Sequence, residues 1–102
     1  MRTTLDIIMA AATVRQQGKL LWCHDAGHAW LLVSDDDLAD LSLKDSDFSE
    51  YSYRQHEWRA LEGDCDAAVY INRLSANVEN VPDAMEVYLG ADGAVRNWPR
   101  MN

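Results

Sequence analysis

The chain has 102 residues, of which 48% are hydrophobic, and its 17 acidic and 9 basic side chains give a formal net charge of −8. This length predicts one domain, residues 1–102, and the hydrophobic content excludes a disordered chain. The acidic balance argues against direct binding to nucleic acid, because phosphate contacts require clustered lysine and arginine side chains. No apolar run approaches the roughly 20 residues that span a bilayer, and no signal peptide is evident, so we expect a soluble intracellular protein without membrane contact.

The N-terminal stretch predicts a helix over residues 4–17. Thr3 and Asp6 have the spacing of a capping box, and apolar residues follow at helical intervals. Gly18 is a natural end for such a helix. The β-branched residues in this stretch leave a strand as the competing interpretation.

Two apolar, aromatic runs, residues 19–24 and 28–33, predict the first hairpin, because a three-residue connection that ends in Gly27 separates them. Neither run alternates cleanly between apolar and polar residues. We therefore expect these strands to be central in the sheet and covered on both faces, with Trp22 and Trp30 in the core.

Residues 34–50, which we call the acidic segment, carry a local net charge of −6. Ser34 can cap a short helix over residues 35–41, and aspartates suit the positive end of a helix dipole. The seven acids of the segment are Asp35, Asp36, Asp37, Asp40, Asp45, Asp47 and Glu50. A solvated face that keeps the protein soluble is one interpretation, and a docking surface for a basic partner is the other.

The second half of the chain predicts two more hairpins around one helix. Residues 51–61 form the first of these hairpins, with residues 55–57 as the connection. A corner over residues 61–68 follows, where Gly63 ends the strand and Asp64 is expected to cap a helix over residues 65–76.

The last hairpin is predicted from residues 85–89 and 94–98 around a turn at residues 91–93. The resulting fold class is α+β. We expect an antiparallel sheet of about three hairpins, with the helices over residues 4–17 and 65–76 packed on one side of it.

The cysteines and histidines do not predict a metal site or another cofactor. Adjacent Cys23 and His24 point to opposite faces of a strand, and no metal-binding spacing is present among the remaining candidates, His28, His56 and Cys65. Cys65 lies at a helix start, where the dipole favours a thiolate, but the neighbouring carboxylates oppose that effect. We expect two free thiols, with Cys65 as a small core residue.

Four stretches, which we call the motif segments, carry a resemblance to a known family. They are Gly27-His28-Ala29-Trp30-Leu31, Tyr51-Ser52-Tyr53, Leu61-Glu62-Gly63-Asp64-Cys65-Asp66-Ala67 and Arg96-Asn97-Trp98-Pro99-Arg100. Together they resemble small, largely uncharacterised proteins that phages, prophages and plasmids of bacteria carry. The resemblance covers roughly residues 20–100. It implies a location in the cytoplasm of a bacterial host and, by association, an action against host defence of the anti-CRISPR kind.

From charge and resemblance we expect a non-enzymatic interaction protein that occupies the basic surface of a host protein or nucleoprotein complex. The seven acids of the acidic segment would imitate spaced phosphates, with Tyr51 and Tyr53 beside them as partner-binding residues. Binding through exposed aromatic residues, Tyr51, Tyr53 and Trp98, is a second mode within the same class. The alternatives are a small metal- or thiol-dependent enzyme that uses Cys65, His28 and Asp64, and an accessory protein that dimerises through a sheet edge.

Overall fold

Three α-helices and a five-stranded sheet make up this α+β protein, which we describe from a computed structural model covering residues 2–91 and 93–102. In chain order the elements are α1 (Thr4–Gln16), β1 (Leu20–His24), β2 (Ala29–Ser34), α2 (Asp35–Asp40), β3 (Tyr53–Gln55), β4 (Trp58–Glu62), α3 (Asp66–Asn77) and β5 (Ala84–Tyr88). Two single 3₁₀ turns lie at Asp45–Asp47 and Ala94–Asn97. None of these helices is long and apolar enough to cross a membrane.

The capping residues in the sequence correctly predicted where α1 and α2 begin. The side-chain oxygen of Thr3 accepts the N–H of Asp6, whose carboxylate accepts the N–H of Thr3 in return. Ser34 and Asp37 repeat this reciprocal pair at the start of α2. Each capping box satisfies two backbone N–H groups that have no partner within the helix. In α1 this stabilisation is greater than the preference of its β-branched residues for a strand.

The first two predicted hairpins are confirmed. In the first, β1 pairs antiparallel with β2, and in the second β3 pairs antiparallel with β4. Antiparallel pairing of β2 with β4 joins the two hairpins into one sheet, in the order β3-β4-β2-β1-β5. The hydrophobic runs of β1 and β2 are therefore interior strands, as their lack of alternation indicates.

The predicted third hairpin is wrong. Strand β5 pairs parallel with β1, so the sheet is mixed, and residues 94–97 form a 3₁₀ turn instead of a returning strand. Val95 and Trp98 are buried in the core, so their apolar character reflects packing of residues 93–102, which we call the C-terminal segment, against the sheet. Of the predicted turn, Asp92 lies outside the described residues.

The prediction that the two main helices share one side of the sheet is also wrong. Ile7 and Ala11 of α1 pack in one core cluster with Trp30 and Leu32 of β2. The alternate β2 residues Leu31 and Val33 face the opposite cluster, which α2 and α3 cover. Successive side chains of a strand point to opposite faces, so a strand that is apolar throughout requires a cover on both sides.

The corner after β4 is built differently from the prediction. The residue at the N-cap of α3 is Cys65, and no described side chain makes a capping hydrogen bond to this helix, so Asp64 does not fill the role assigned to it. Gly63 is nonetheless required, because its N–H donates to the carbonyl oxygen of Ala29 at 2.9 Å. A Cβ at Gly63 would lie 3.0 Å from that same oxygen.

Asp66, in the first turn of α3, holds the corner together. Its carboxylate accepts the N–H and the hydroxyl of Ser49 and the hydroxyl of Ser52. The Ser52 hydroxyl oxygen in turn accepts the N–H of Glu62 at 2.9 Å. Asp66 is 2% exposed and Ser52 is fully buried, so the network is shielded from water and ties the strand before the corner to the helix after it.

We predict that Asp66→Asn lowers the free energy of unfolding by about 2 to 4 kcal/mol, because it breaks a buried network of charge-assisted hydrogen bonds. Urea denaturation followed by far-UV circular dichroism measures this loss. The matched control is Asp64→Asn, two residues away and exposed, with an expected change within about 0.5 kcal/mol. Equal losses in the two variants would contradict the role given to Asp66.

Candidate functional site

The carboxylates of the acidic segment do not form one free row. Arg59, whose side chain is 9% exposed, pairs with Asp35 at 2.8 Å and with Asp45 at 3.0 Å. Asp37 pairs with Arg15 at 2.9 Å and completes the cap of α2. Asp47 accepts the N–H of Lys44 at 2.8 Å.

Four of the seven predicted acids therefore stabilise the fold itself. The other three, Asp36, Asp40 and Glu50, are exposed and make no ion pair or side-chain hydrogen bond with the described residues. An imitation of spaced phosphates requires several free charges side by side. Because only three of the seven acids are free of such partners among the described residues, we expect the acidic segment to contribute less to binding than the charge count of the sequence predicts.

The two predicted binding tyrosines line a cleft at the end of the sheet where β2 begins and β4 ends. The cleft has a volume of about 570 Å³, in the range of small-molecule and side-chain binding sites. Tyr51 is 59% exposed, and Tyr53 meets Trp30 edge to face at 6.3 Å between ring centroids. These three rings form what we call the aromatic wall. Trp98, the third aromatic residue considered for binding, is buried and donates its indole N–H to Thr4.

Two arginines of the C-terminal segment lie against rings of the aromatic wall. The guanidinium carbon of Arg100 lies 4.5 Å from the ring centroid of Tyr53, and that of Arg96 lies 5.8 Å from the ring of Trp30. Such distances allow cation–π attraction. Arg100 also donates to the backbone carbonyl of Glu50, which fixes the rim of the cleft.

Asp25 holds Arg96, one of the residues lining the cleft, in place. Its side chain is fully buried, ion-pairs with Arg96 and accepts the N–H groups of Gly27, His28 and Gly93. The Arg96 guanidinium, followed by these backbone N–H groups, holds the pKa of Asp25 well below its ordinary value. The first hairpin turn and the C-terminal segment are thereby locked to each other.

Two carboxylates, those of Glu62 and Asp64, lie on the side of the cleft formed by the corner. Glu62 is 9% exposed, and its Oε1 accepts the N–H of Asp64 at 2.9 Å. Glu62 and Trp30 are directly opposite each other in the β2–β4 register, so both side chains project from the same face of the sheet. Neither carboxylate has an ion-pair partner in the described part of the chain.

The thiol, imidazole and carboxylate of the enzyme alternative all line this cleft. Cys65 and Asp64 belong to the corner, and His28 stacks on Trp30 with ring centroids 5.9 Å apart. The prediction of a core cysteine is wrong for Cys65, which is exposed. The negative charge of Asp66 raises the pKa of the Cys65 thiol most, followed by partial desolvation and by the charges of Glu62 and Asp64, because each of these destabilises a thiolate. Within residues 2–91 and 93–102 no group of three or more potential ligands could hold a metal ion.

The four motif segments meet in this one cleft. Of the ten lining residues in the described part of the chain, nine come from these segments, and the tenth is Ser49. Residue-by-residue reasoning missed Trp30, Glu62, Arg96 and Arg100 as site residues, because each has an ordinary structural interpretation on its own. The signal that could have found them was the set of motif segments itself, whose members lie far apart in the chain.

We predict that Asp25→Asn destabilises the protein by about 2 to 4 kcal/mol at neutral pH, somewhat less than the loss of a fully buried ion pair because Arg96 is partly exposed. The wild-type contribution is fully present above the unfolded pKa of aspartate, about 4, and is lost as the pH falls through the lower folded pKa. The difference between wild type and variant, measured by urea denaturation from neutral pH downward, should therefore shrink at acidic pH. A difference that does not change with pH would contradict this assignment.

We predict that Cys65 is alkylated more slowly at neutral pH than an unperturbed thiol, since its pKa is raised. Burial raises the pKa of Cys23 to about 12, so this thiol should react only on unfolding. Iodoacetamide labelling as a function of pH, followed by mass spectrometry, separates the two thiols. Asp64→Asn should lower the apparent pKa of Cys65, and a thiolate already present at neutral pH in the wild type would instead favour an enzyme.

Comparisons of the chain with protein-family models, with curated proteins and with solved structures found no match.

Proposed function

We propose that this protein is a non-enzymatic, acidic interaction protein that binds a basic surface of a host protein or nucleoprotein complex through its cleft. The observation that carries the proposal is that one open cleft contains both the aromatic wall, with its exposed Tyr51, and two carboxylates that have no ion-pair partner among the described residues. Aromatic anchors beside charged groups are typical of binding hot spots.

The net charge of −8 gives the protein a long-range attraction to such a surface. Charge of this kind mainly accelerates encounter, whereas close contacts in a desolvated site determine how long a complex lasts. We assign the first role to Asp36, Asp40 and Glu50 and the second to the cleft. This division agrees with the use of the other four acids inside the fold.

The biological setting is proposed from the resemblance to proteins of phages, prophages and plasmids. In that setting the partner is a bacterial defence complex of the CRISPR type, and the protein inhibits it in the cytoplasm by occupying a basic surface that otherwise holds nucleic acid. The raised pKa of Cys65 supports a binding role over a catalytic one, because a protonated thiol is a poor nucleophile.

We predict that Tyr51→Ala weakens binding to a purified CRISPR effector complex about tenfold, mainly through faster dissociation, as expected for loss of an aromatic anchor. The matched control is Tyr88→Ala on the edge strand β5, because Tyr88 has a similar exposure of 55% and lies outside the cleft. Biolayer interferometry with the immobilised protein measures both rates.

In the same assay, the double variant Asp36→Lys and Asp40→Lys should slow association and reduce its dependence on salt, with little effect on dissociation. Asp36 and Asp40 are chosen for this test because charge reversal at Asp35, Asp37 or Asp45 would also break ion pairs that stabilise the fold. Absence of binding at low salt would contradict the proposed partner, and equal losses in Tyr51→Ala and Tyr88→Ala would contradict the cleft.

A second candidate function, a thiol-dependent enzyme, has one observation in its favour: His28, Asp64 and Cys65 share the cleft. A Cys–His pair requires an activated thiolate. The alkylation profile of Cys65 distinguishes the two candidates directly.

A further inference from the structure

Glu62 is the starting point for the identity of the group that the cleft binds. The Glu62 residue as a whole is 9% exposed, so a cation that bound its carboxylate would lie at a partly shielded site where charge attraction is stronger than at the open surface. Its Oε1 has one backbone hydrogen bond, whereas its Oε2 has none from the described residues and is not sealed from solvent. An oxygen in this state is available to a donor that enters the cleft.

The aromatic wall shows which donor fits. The chain places its own guanidinium groups against two of the three rings, that of Arg100 over Tyr53 and that of Arg96 over Trp30. The third ring, Tyr51, is the most exposed of the three and has no described cation against it. A further planar cation can therefore stack at Tyr51 as the internal ones do at their rings.

The charge balance of the cleft favours a cation over an anion. Arg96 is bound by the buried carboxylate of Asp25, and this pair is counted as neutral. Among the described lining residues, the other charged side chains are then the two carboxylates and the guanidinium of Arg100. The overall charge of −8 acts in the same direction. A nucleotide or a phosphate would meet repulsion from both sources.

We propose that the cleft takes an arginine side chain of a basic partner segment, with its guanidinium bound by Glu62 and Asp64 and stacked on Tyr51. The guanidinium fork matches two carboxylate oxygens and lies flat on a ring, which the ammonium of lysine does not. The inference rests on the proposed function, because the basic surface of the partner supplies the arginine. It adds the chemical identity of the group that is recognised.

The experiment titrates the folded protein with capped Gly-Arg-Gly and Gly-Lys-Gly peptides, with AMP and with inorganic phosphate, and follows the backbone amides by ¹H–¹⁵N NMR. The arginine peptide should shift the amides of the corner and of residues 49–53, and the lysine peptide should bind more weakly. Glu62→Gln keeps the shape and the hydrogen bond to Asp64 but removes the charge, so binding of the arginine peptide should weaken about tenfold or more. Glu79→Gln, an exposed site beyond α3, is the matched control and should leave binding unchanged.

Arg100→Met provides an independent variant with the opposite expected sign. It keeps an apolar chain over Tyr53 but removes the competing cation together with the hydrogen bond to the Glu50 carbonyl. Loss of that bond alone would weaken binding, so the tighter binding of the arginine peptide that we expect reports the removed charge, and Arg2→Met is the control. Tighter binding of AMP or phosphate than of the arginine peptide, with loss in Arg100→Met and gain in Glu62→Gln, would overturn the inference. Equal peptide affinity in wild type and Glu62→Gln would overturn it as well.

The same variants in the effector assay distinguish this inference from the proposed function. If the effector binds but Glu62→Gln binds it as the wild type does, the function stands and the arginine site is wrong. If the peptide results hold and no effector binds, the arginine site stands and the proposed partner is wrong.

Discussion

The buried carboxylate of Asp66 is the interaction on which the rest of the site depends. It receives three donors from Ser49 and Ser52, and the Ser52 hydroxyl continues the chain of hydrogen bonds to the N–H of Glu62. One side chain thereby joins the segment that carries Tyr51 and Tyr53 to the strand end that carries Glu62. A charge placed where water is excluded strengthens each of these bonds, and it also makes the loss of any one of them costly.

A second buried carboxylate, that of Asp25, does the same for the opposite side of the cleft. It connects the β1–β2 turn to Arg96 and Gly93 of the C-terminal segment, so that the guanidinium of Arg96 is held against the ring of Trp30. Each side of the cleft is therefore held by a buried aspartate that is not one of the residues lining the cleft. A site with this support presents its aromatic and charged groups in a preorganised arrangement, which lowers the entropy cost of binding.

The acids of this protein divide into two groups with different roles. Asp25, Asp37, Asp45 and Asp66 are bound by arginines or backbone donors and stabilise the fold. Asp36, Asp40, Glu50 and Asp64 are exposed and contribute to the negative field around the protein. A count of charges along the chain cannot separate these groups, because the separation depends on arginines such as Arg15 and Arg59 that lie far away in sequence. Repulsion from the corner carboxylates also raises the pKa of the exposed Cys65 thiol in the cleft.

The sequence by itself determined the local structure of this protein. Capping boxes at Thr3 and Ser34 started two helices, Gly27 and the short β3–β4 connection formed two hairpins, and the unbroken apolar run of β2 required a cover on both faces. These features follow from hydrogen bonds and side-chain directions within a few residues. Only the tertiary structure decided that β5 lies parallel to β1, that α1 and α3 cover opposite faces, and that the four motif segments converge on one cleft. Each of those outcomes depends on contacts between residues distant in the chain, such as Asp25 with Arg96 and Ser49 with Asp66, and the pattern of neighbouring residues contains no information about them.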